Sequence, residues 1–217
     1  MARNSLKNVV YDYLYESIVS SKLLPGQVIV EQEISNLLGV SRTPVREALK
    51  QLTAERLVRH IPGRGTFVED ISVQDVEELF EIRIMFEVAA LESAIGKISD
   101  SEIEEIVHVL DHLSDNTNHP EEFFNTDRRL HNLILKYGRN RRMIEFLNTV
   151  NSQLERLRRI SSLTPKRLDK SKQEHLAILY AIRERNLEKA IAALRLHLQN
   201  VKKSTLDVCE QTRLNNC

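Results

Sequence analysis

Three histidines and one aspartate in the second half of the chain have the residue types and the spacing of metal ligands. Asp127 and His131 are four residues apart and so share one face of a helix, and His175 and His197 lie on later helical segments. Imidazole nitrogen and carboxylate oxygen together suit a divalent cation, and zinc, nickel and manganese all accept this donor set. The pattern predicts a divalent metal site and leaves the metal open among these three.

Helical periodicity turns both residues of the first pair toward the interior. With about 100° of rotation per residue and Phe123 at zero, Asp127 falls at about 40° and His131 at about 80°. Leu130 and Ile134 lie within about 20° of Phe123 on the same scale. Both polar side chains therefore belong to the apolar stripe of their helix.

The other two histidines also fall on apolar helix faces, His175 with Leu179 and His197 with Leu194. One inward histidine is more often a hydrogen-bonded core residue than a ligand, and that alternative stands for each histidine taken singly. Four inward groups are harder to explain in this way, because a buried carboxylate without compensation is costly. A cation that neutralises Asp127 and accepts the imidazole lone pairs removes that cost.

His108 and His112 provide a comparison within the same chain. They have the same spacing as Asp127 and His131, but they fall opposite the apolar face of their helix. We expect both to be solvated.

Arg83 is a cation on an otherwise apolar helix face, together with Val76 and Leu79. It could form an ion pair along its own helix with Glu87, four residues later. Alternatively, its planar fork of donors could bind the carboxylate of a small effector. The second alternative is our prediction, and it makes Arg83 an effector-binding residue.

A second candidate for chemistry is a helix-turn-helix in the first half of the chain. A helix over 31–38 ends at Gly39, and the next helix begins after Ser41, a good N-cap. Two β-prone runs follow at 57–61 and 66–69 around a turn that contains proline and glycine, which predicts a hairpin. A hairpin in this position is the wing of a winged helix-turn-helix.

Positive charge is concentrated on the third helix and the wing. Residues 41–65 contain six basic and two acidic side chains, a net charge of plus four, whereas the rest of 1–71 contains three basic and six acidic ones. In a helix-turn-helix the start of the second helix enters the major groove, where arginine suits guanine edges and phosphates. The charge pattern therefore predicts binding to double-stranded DNA. Solvated surface arginines are the alternative.

Composition restricts the remaining possibilities. The 217 residues include 31 basic and 31 acidic side chains, so the net charge is zero and gives no support for nucleic-acid binding. Only the local concentration of positive charge gives such support. The sequence shows no leader of the signal-peptide type and no segment long enough to span a bilayer. Cys209 and Cys217 do not make a disulfide framework, and we expect a reduced, cytoplasmic protein without a membrane partner.

The fold is predicted to be mainly α. A winged helix-turn-helix domain is expected over residues 1–71, and an all-α six-helix bundle over 72–217. The six predicted helices span residues 73–97, 100–116, 120–137, 140–163, 165–185 and 187–210.

Residues 23–68 carry a resemblance to a known family. The runs "LLPGQVIVEQEISNLLGVSRTPVREALKQLTAERLV" and "PGRGTFV" resemble the winged-helix domain of GntR-family bacterial transcription regulators. The resemblance implies DNA contacts from the start of the third helix and from the wing tip, namely Ser41, Arg42, Thr43, Arg46, Gly63 and Arg64. Gln32 stands where the second helix of the family often carries an arginine, so that DNA contact differs here. Arg56 stands where the family usually has a glycine.

The second half of the chain resembles the FCD effector domain found in the FadR branch of the same family. The resemblance rests on "EIRIMFEVAALESA", "FFNTDRRLHNLILKYGRN" and "EHLAILYAIRERNLEKAIAALRLHL". Metal-binding FCD domains use one aspartate and three histidines at positions that correspond to Asp127, His131, His175 and His197. An arginine at the position of Arg83 is associated with ligand binding in these domains. Six helices rather than seven imply the VanR-like subgroup.

These observations predict a homodimeric transcription regulator, more specifically a repressor. It would bind an inverted-repeat operator and sense a small organic acid at a metal-containing cavity. A metal-dependent enzyme acting on a small carboxylate is the alternative, since an open metal site can activate water. Against the enzyme, the sequence offers no further inward glutamate or histidine in a clear position for a general base. A purely structural metal is a third possibility.

Overall fold

A computed structural model describes residues 5–113 and 120–215, with side chains up to residue 211. Its described residues form two compact units. Among the described residues, the first contains 5–72 together with Thr149–Arg159, and the second contains 73–113, 120–148 and 160–215. The domain boundaries predicted above differ from this division in assigning the short segment of 149–159 to the second half.

The first unit is a helix-turn-helix followed by a β-hairpin. Its elements are α1 (Leu6–Val19), β1 (Val28–Ile29), α2 (Glu31–Leu38), α3 (Arg42–Ala54), β2 (Val58–Ile61) and β3 (Gly65–Val68). Helix α2 ends because Gly39 adopts the left-handed conformation, with φ of +65°, from which the next helix can begin three residues later. The predicted winged helix-turn-helix is confirmed.

The wing is a three-stranded antiparallel sheet in the order β1-β3-β2. In the hairpin Val58 is opposite Val68 and Ile61 is opposite Gly65, and the turn between them is closed by a hydrogen bond from the Arg64 N–H to the Ile61 carbonyl (3.0 Å). Strand β1 pairs with β3 and was not predicted from the sequence.

Apolar side chains of α1, α3 and the hairpin form the core of the first unit. The fully buried members include Leu14, Ile18, Leu52 and Leu57. Arg56 leads from α3 into the hairpin with φ of +56°, a left-handed conformation that glycine adopts more readily than arginine. This core fixes the angle at which α3 presents its first turn.

The described residues after 72 form six helices, as predicted, and the middle of one of them, 149–159, is grouped with the first unit. The six helices are α4 (Val73–Ala94), α5 (Asp100–His112), α6 (Pro120–Gly138), α7 (Arg141–Ser161), α8 (Arg167–Arg183) and α9 (Leu187–Asn215). The predicted end of α5, residues 114–116, lies outside the described residues. The prediction that α8 begins at residue 165 was wrong, because Lys166 has φ of +59° and the helix begins after it.

The core of the second unit is a single apolar cluster drawn from α4, α5, α6, α8 and α9. Helices α4 and α6 approach very closely at its edge: a Cβ added at Gly138 would lie 2.7 Å from Cβ of Ala90. A side chain at Gly138 would therefore force the two helices apart. Within the described part of the chain, no helix has the length and hydropathy needed to cross a bilayer.

Candidate metal centre and nucleic-acid interface

The four predicted metal ligands meet in the core of the second unit. One donor atom from each of Asp127, His131, His175 and His197 lies within 4.8 Å of the others. The three Nε2 atoms surround Oδ1 of Asp127, at 3.1 Å for His175, 3.6 Å for His131 and 3.9 Å for His197. All four side chains are buried.

Three helices supply these donors. Helix α6 carries Asp127 and His131 one turn apart, and α8 and α9 each add one histidine from an apolar face. The ring of Phe123 stacks on that of His175 with the centroids 5.5 Å apart, which fixes the plane of the imidazole. By contrast, His108 and His112 are exposed on α5, as predicted.

The donor set fits a divalent metal. Zinc binds imidazole nitrogen at about 2.0 to 2.1 Å, so two ligands of one ion lie about 3 to 4 Å apart. The Nε2 atoms of His175 and His197 are separated by 3.3 Å. Nε2 of His131 is buried and has no hydrogen-bond partner among the described residues, so its lone pair could bind a cation at the centre of the cluster.

Burial and neighbouring charges act differently on the three imidazoles. Burial, together with the neighbouring His175, lowers the pKa of His197 to about 3. Burial also lowers the pKa of His175. Burial would lower the pKa of His131 as well, but the carboxylate of Glu87 raises it above the ordinary value. Two of the three imidazoles are thus kept neutral, the form that binds a metal.

Two carboxylates that the sequence analysis did not assign lie directly behind the cluster. Oε2 of Glu87 is 2.5 Å from Nδ1 of His131, and Oε2 of Glu174 is 2.8 Å from Nδ1 of His197. No further inward glutamate in a clear position for a general base was apparent from the sequence, and these two contacts were not anticipated. The inward position of Glu87 could have been predicted, because it lies one turn after Arg83 on the same helix face. Glu174 directly precedes His175 and is therefore rotated about 100° from it around the helix, so periodicity does not place the two on one face.

Both glutamates remain ionised in these surroundings. Burial would raise the pKa of Glu87, but the charges of His131 and Arg83 hold it well below its usual range. Burial acts in the same direction on Glu174, where hydrogen bonds from Arg167 and His197 lower the pKa to about 2. His131 and His197 therefore each contact a carboxylate that carries a full negative charge.

Arg83 is fully buried on α4 and forms the ion pair with Glu87 that was one of the two alternatives. The pair uses Nε, which donates to Oε1 of Glu87 at 2.7 Å. Nη1 and Nη2 have no hydrogen-bond partner among the described residues. Since buried guanidinium donors are normally satisfied, this fork still has the capacity to bind an anion.

At the start of α3, the exposed residues Ser41, Arg42, Thr43 and Arg46 lie on one turn and a half of helix, as the sequence predicts for a DNA-reading end. Ser41 occupies the N-cap position, but its side chain forms no capping hydrogen bond. Its hydroxyl and the first N–H groups of the helix are therefore available to a phosphate.

Side chains of α2 form hydrogen bonds with both arginines at the start of α3, Arg42 and Arg46. The side-chain carbonyl of Gln32 accepts hydrogen bonds from Nε (2.8 Å) and Nη2 of Arg42. Nε of Arg46 donates to Oε2 of Glu31 at 2.7 Å. Gln32 thus contacts Arg42 directly, a role that the sequence did not indicate.

At the tip of the wing lie two further predicted DNA contacts, Gly63 and Arg64, both exposed. Gly63 has φ of +74°, which suits the third position of a type II turn after Pro62. The structure contains no nucleic acid, and all seven DNA contacts remain predictions.

Comparisons with known proteins agree with this arrangement. Residues 6–68 match the family "Bacterial regulatory proteins, gntR family", and residues 78–200 match the FCD domain. The HTH-type transcriptional repressor RspR of Escherichia coli K12 is 26% identical over 205 residues, which cover 93% of this chain and 90% of the relative. The HTH-type transcriptional regulator YdhC of Bacillus subtilis is 24% identical over 94% of this chain and 93% of its own length.

Solved structures show the same fold. A GntR transcriptional regulator from Rhodococcus sp. RHA1 has a TM-score of 0.77 at 23% identity, covering 94% of this chain and 99% of the other. The Zn2+-bound FCD domain of TM0439 has a TM-score of 0.57 at 28% identity, covering 64% of this chain and 96% of the other.

Proposed function

The chain belongs to the gntR family of bacterial regulatory proteins and carries an FCD domain, and from this membership we propose that it is a ligand-responsive repressor. It acts as a homodimer in the cytoplasm, binds an inverted-repeat operator and senses a small organic acid at a metal-containing cavity. Residues 1–71 bind the DNA, and residues 72–217 bind the effector and the second subunit.

The convergence of Asp127, His131, His175 and His197 is the observation that carries the sensing half of the proposal. A divalent zinc, nickel or manganese ion held there would supply a Lewis-acidic charge for an anionic oxygen. The zinc-bound FCD domain of TM0439, at 28% identity, supports the same assignment.

Arg83 gives the cavity its preference for a carboxylate. Its two unpartnered Nη groups match the two oxygens of one carboxylate, and the desolvated site strengthens such a pair. An acid bound in this way regulates DNA binding if it favours one arrangement of the protein over another. That differential affinity is what makes it an effector.

Support for the DNA half comes from the first turn of α3, where two exposed arginines stand beside free N–H groups. A closed homodimer has twofold symmetry, so its two third helices would read two half-sites of a palindrome. Repression is favoured because RspR, which is similar over nearly its whole length, is named a repressor.

The proposal is tested by selecting operators from random duplex DNA with the purified, zinc-loaded protein. We expect an inverted repeat that binds two chains, and we expect some members of a panel of small carboxylates to change its affinity. The same acids should have no effect on Asp127→Ala protein, which retains the DNA-binding residues. Failure to enrich any duplex would contradict the DNA function, and an equal acid response of the variant would contradict sensing at this site.

A metal-dependent enzyme is the second candidate, favoured by the two carboxylates, Glu87 and Glu174, that contact the candidate metal ligands. Both, however, already accept hydrogen bonds from ligand histidines and arginines, so neither stands ready to take a proton from water. Turnover of the panel acids by zinc-loaded protein would support the enzyme instead.

A further inference from the structure

The carboxylates behind the metal ligands decide which nitrogen of each imidazole carries the proton. Oε2 of Glu87 lies 2.5 Å from Nδ1 of His131, and Oε2 of Glu174 lies 2.8 Å from Nδ1 of His197. Each carboxylate oxygen is placed to accept from the Nδ1–H group that it faces. When the ring is neutral, Nε2 is then the unprotonated nitrogen, and both Nε2 atoms face the cluster.

Glu87 differs from Glu174 in what its second oxygen holds. Oε1 of Glu87 accepts from Nε of Arg83 and leaves both Nη groups of that arginine without a partner. Glu174 accepts from both Nη1 and Nη2 of Arg167, so both terminal nitrogens of that arginine are already engaged. Arg83 and Glu87 are 0% and 2% exposed, so the pair lies away from bulk water.

We propose that Glu87 is a positioning residue shared by the metal site and the effector site. Resting on the proposed function, the inference assigns one oxygen of Glu87 to the metal-binding tautomer of His131 and the other to the orientation of the Arg83 fork. Glu174 performs the first task alone, for His197. The expected ligand is a small organic acid that binds the metal through one oxygen and Arg83 through others.

Replacement of Glu87 by glutamine discriminates this role from simple packing. Glutamine has the same shape, but it has one acceptor oxygen and an NH2 group in place of two acceptors. The charged donor Arg83 takes the oxygen more strongly than a neutral imidazole does. The amide NH2 then faces Nδ1 of His131, which becomes an acceptor, and the proton moves to Nε2 where it opposes metal binding.

The first measurement uses the full-length, metal-free protein and needs no effector. Nitrogen-15 NMR, recorded at alkaline pH where the imidazoles are neutral, should report an unprotonated Nε2 on His131 in the wild type and in Glu174→Gln. In Glu87→Gln the proton should appear on Nε2 of His131. An unchanged His131 tautomer in Glu87→Gln would overturn the inference, whether or not the protein proves to be a regulator.

The second measurement compares zinc and acid binding. Both Glu87→Gln and Glu174→Gln should weaken zinc by about 10- to 100-fold, as loss of a carboxylate behind a metal-binding histidine usually does. At saturating zinc, succinate as the probe should bind more weakly to Glu87→Gln and normally to Glu174→Gln. Equal succinate affinities in the two variants would reject the shared role.

Glu87→Asp provides the conservative variant. It keeps two acceptor oxygens on a shorter side chain, so it should recover part of the lost zinc and succinate affinity and should keep the wild-type tautomer. A Glu87→Asp protein as defective as Glu87→Gln in all three readouts would contradict positioning by the carboxylate. If wild-type protein binds zinc but no carboxylate in the panel, the sensing function fails while the tautomer result still stands.

Discussion

Nε2 of His175 lies 3.3 Å from Nε2 of His197, although the two residues are on different helices and both are fully buried. Nδ1 of His197 already donates to Glu174, which leaves a lone pair on Nε2 facing the other ring. Two nitrogen lone pairs at this distance repel each other unless the two rings share a proton or a cation. Replacing one residue of this pair is therefore the most direct test of whether a metal binds here.

Replacing His175 by alanine should remove most of the bound metal. Elemental analysis of the wild type as purified should give about one divalent ion per chain, and His175→Ala should fall well below this. Metal present at about 100 times its Kd should stabilise the wild type by about 2.7 kcal/mol, and this increment should vanish in the variant. His112→Ala, an exposed histidine of α5, is the control and should retain its metal. Undiminished metal in His175→Ala would reject the site.

Arg46→Ala should weaken operator binding by about 1–3 kcal/mol if Arg46 contacts a base. The side chain is exposed near the start of α3, and its Nε is paired with Glu31. Titration at several salt concentrations measures the affinity and the number of phosphate contacts together. Arg141→Ala is a matched control, because Arg141 also forms an exposed ion pair at a helix start. A variant that binds like the wild type would exclude Arg46 from the interface.

Glu31→Gln should strengthen DNA binding. Glu31 holds Nε of Arg46 at 2.7 Å, so the arginine must leave this pair before it contacts phosphate or base. Removing the carboxylate also removes a charge that repels the DNA, and we expect a gain of about 0.5–1 kcal/mol at low salt. Glu33→Gln removes the same charge from the same helix without breaking an ion pair of Arg46. Equal gains in both variants would mean that the pair with Arg46 has no separate effect.

Helical periodicity was sufficient to predict that the four candidate metal ligands point inward, because each is a polar residue in an apolar stripe. The same reasoning found Arg83 and offered Glu87 as its partner. Glu174 escaped prediction because it stands next to His175 in the sequence and meets His197 through the packing of α8 on α9. Contacts of this kind depend on helix crossing angles, which periodicity does not contain.

The first unit was predictable to a similar degree. The N-cap, the glycine turn and the hairpin turn are each encoded by residues close together in the sequence. They were therefore sufficient to predict α2, α3 and the wing. Strand β1 has two residues, too few for any alternation, and exists because β3 offers an edge for Val28 and Ile29. The contact between Gln32 and Arg42 likewise arises from the angle between two helices.

Glu102→Gln should destabilise the protein in a pH-dependent way. A hydrogen bond from Tyr137, followed by those from Ser99 and Lys136, lowers the pKa of the Glu102 carboxyl to about 2. Its folded pKa is thus below the unfolded value, so its contribution is fully present above pH 4.5 and is lost as pH falls toward 2. Urea unfolding at pH 7 should show a loss of about 1 kcal/mol that shrinks at pH 4 and below. Glu105→Gln, which removes an exposed ion pair of the same helix, should change little.

Gly138→Ala should destabilise the second unit and weaken its metal site. A new Cβ at this position would lie 2.7 Å from Cβ and 2.8 Å from Cα of Ala90, too close for either helix to remain in place. Overpacking of this kind costs about 1–3 kcal/mol. Because Glu87 on α4 must reach His131 on α6, separating the helices should also lengthen that hydrogen bond and lower zinc affinity.

Gly96→Ala is the control, since its Cβ would meet no atom within 4 Å. Calorimetric unfolding and zinc titration of both variants measure the two effects, and a Gly138→Ala protein with wild-type stability and zinc affinity would show that the close approach of α4 and α6 is not required.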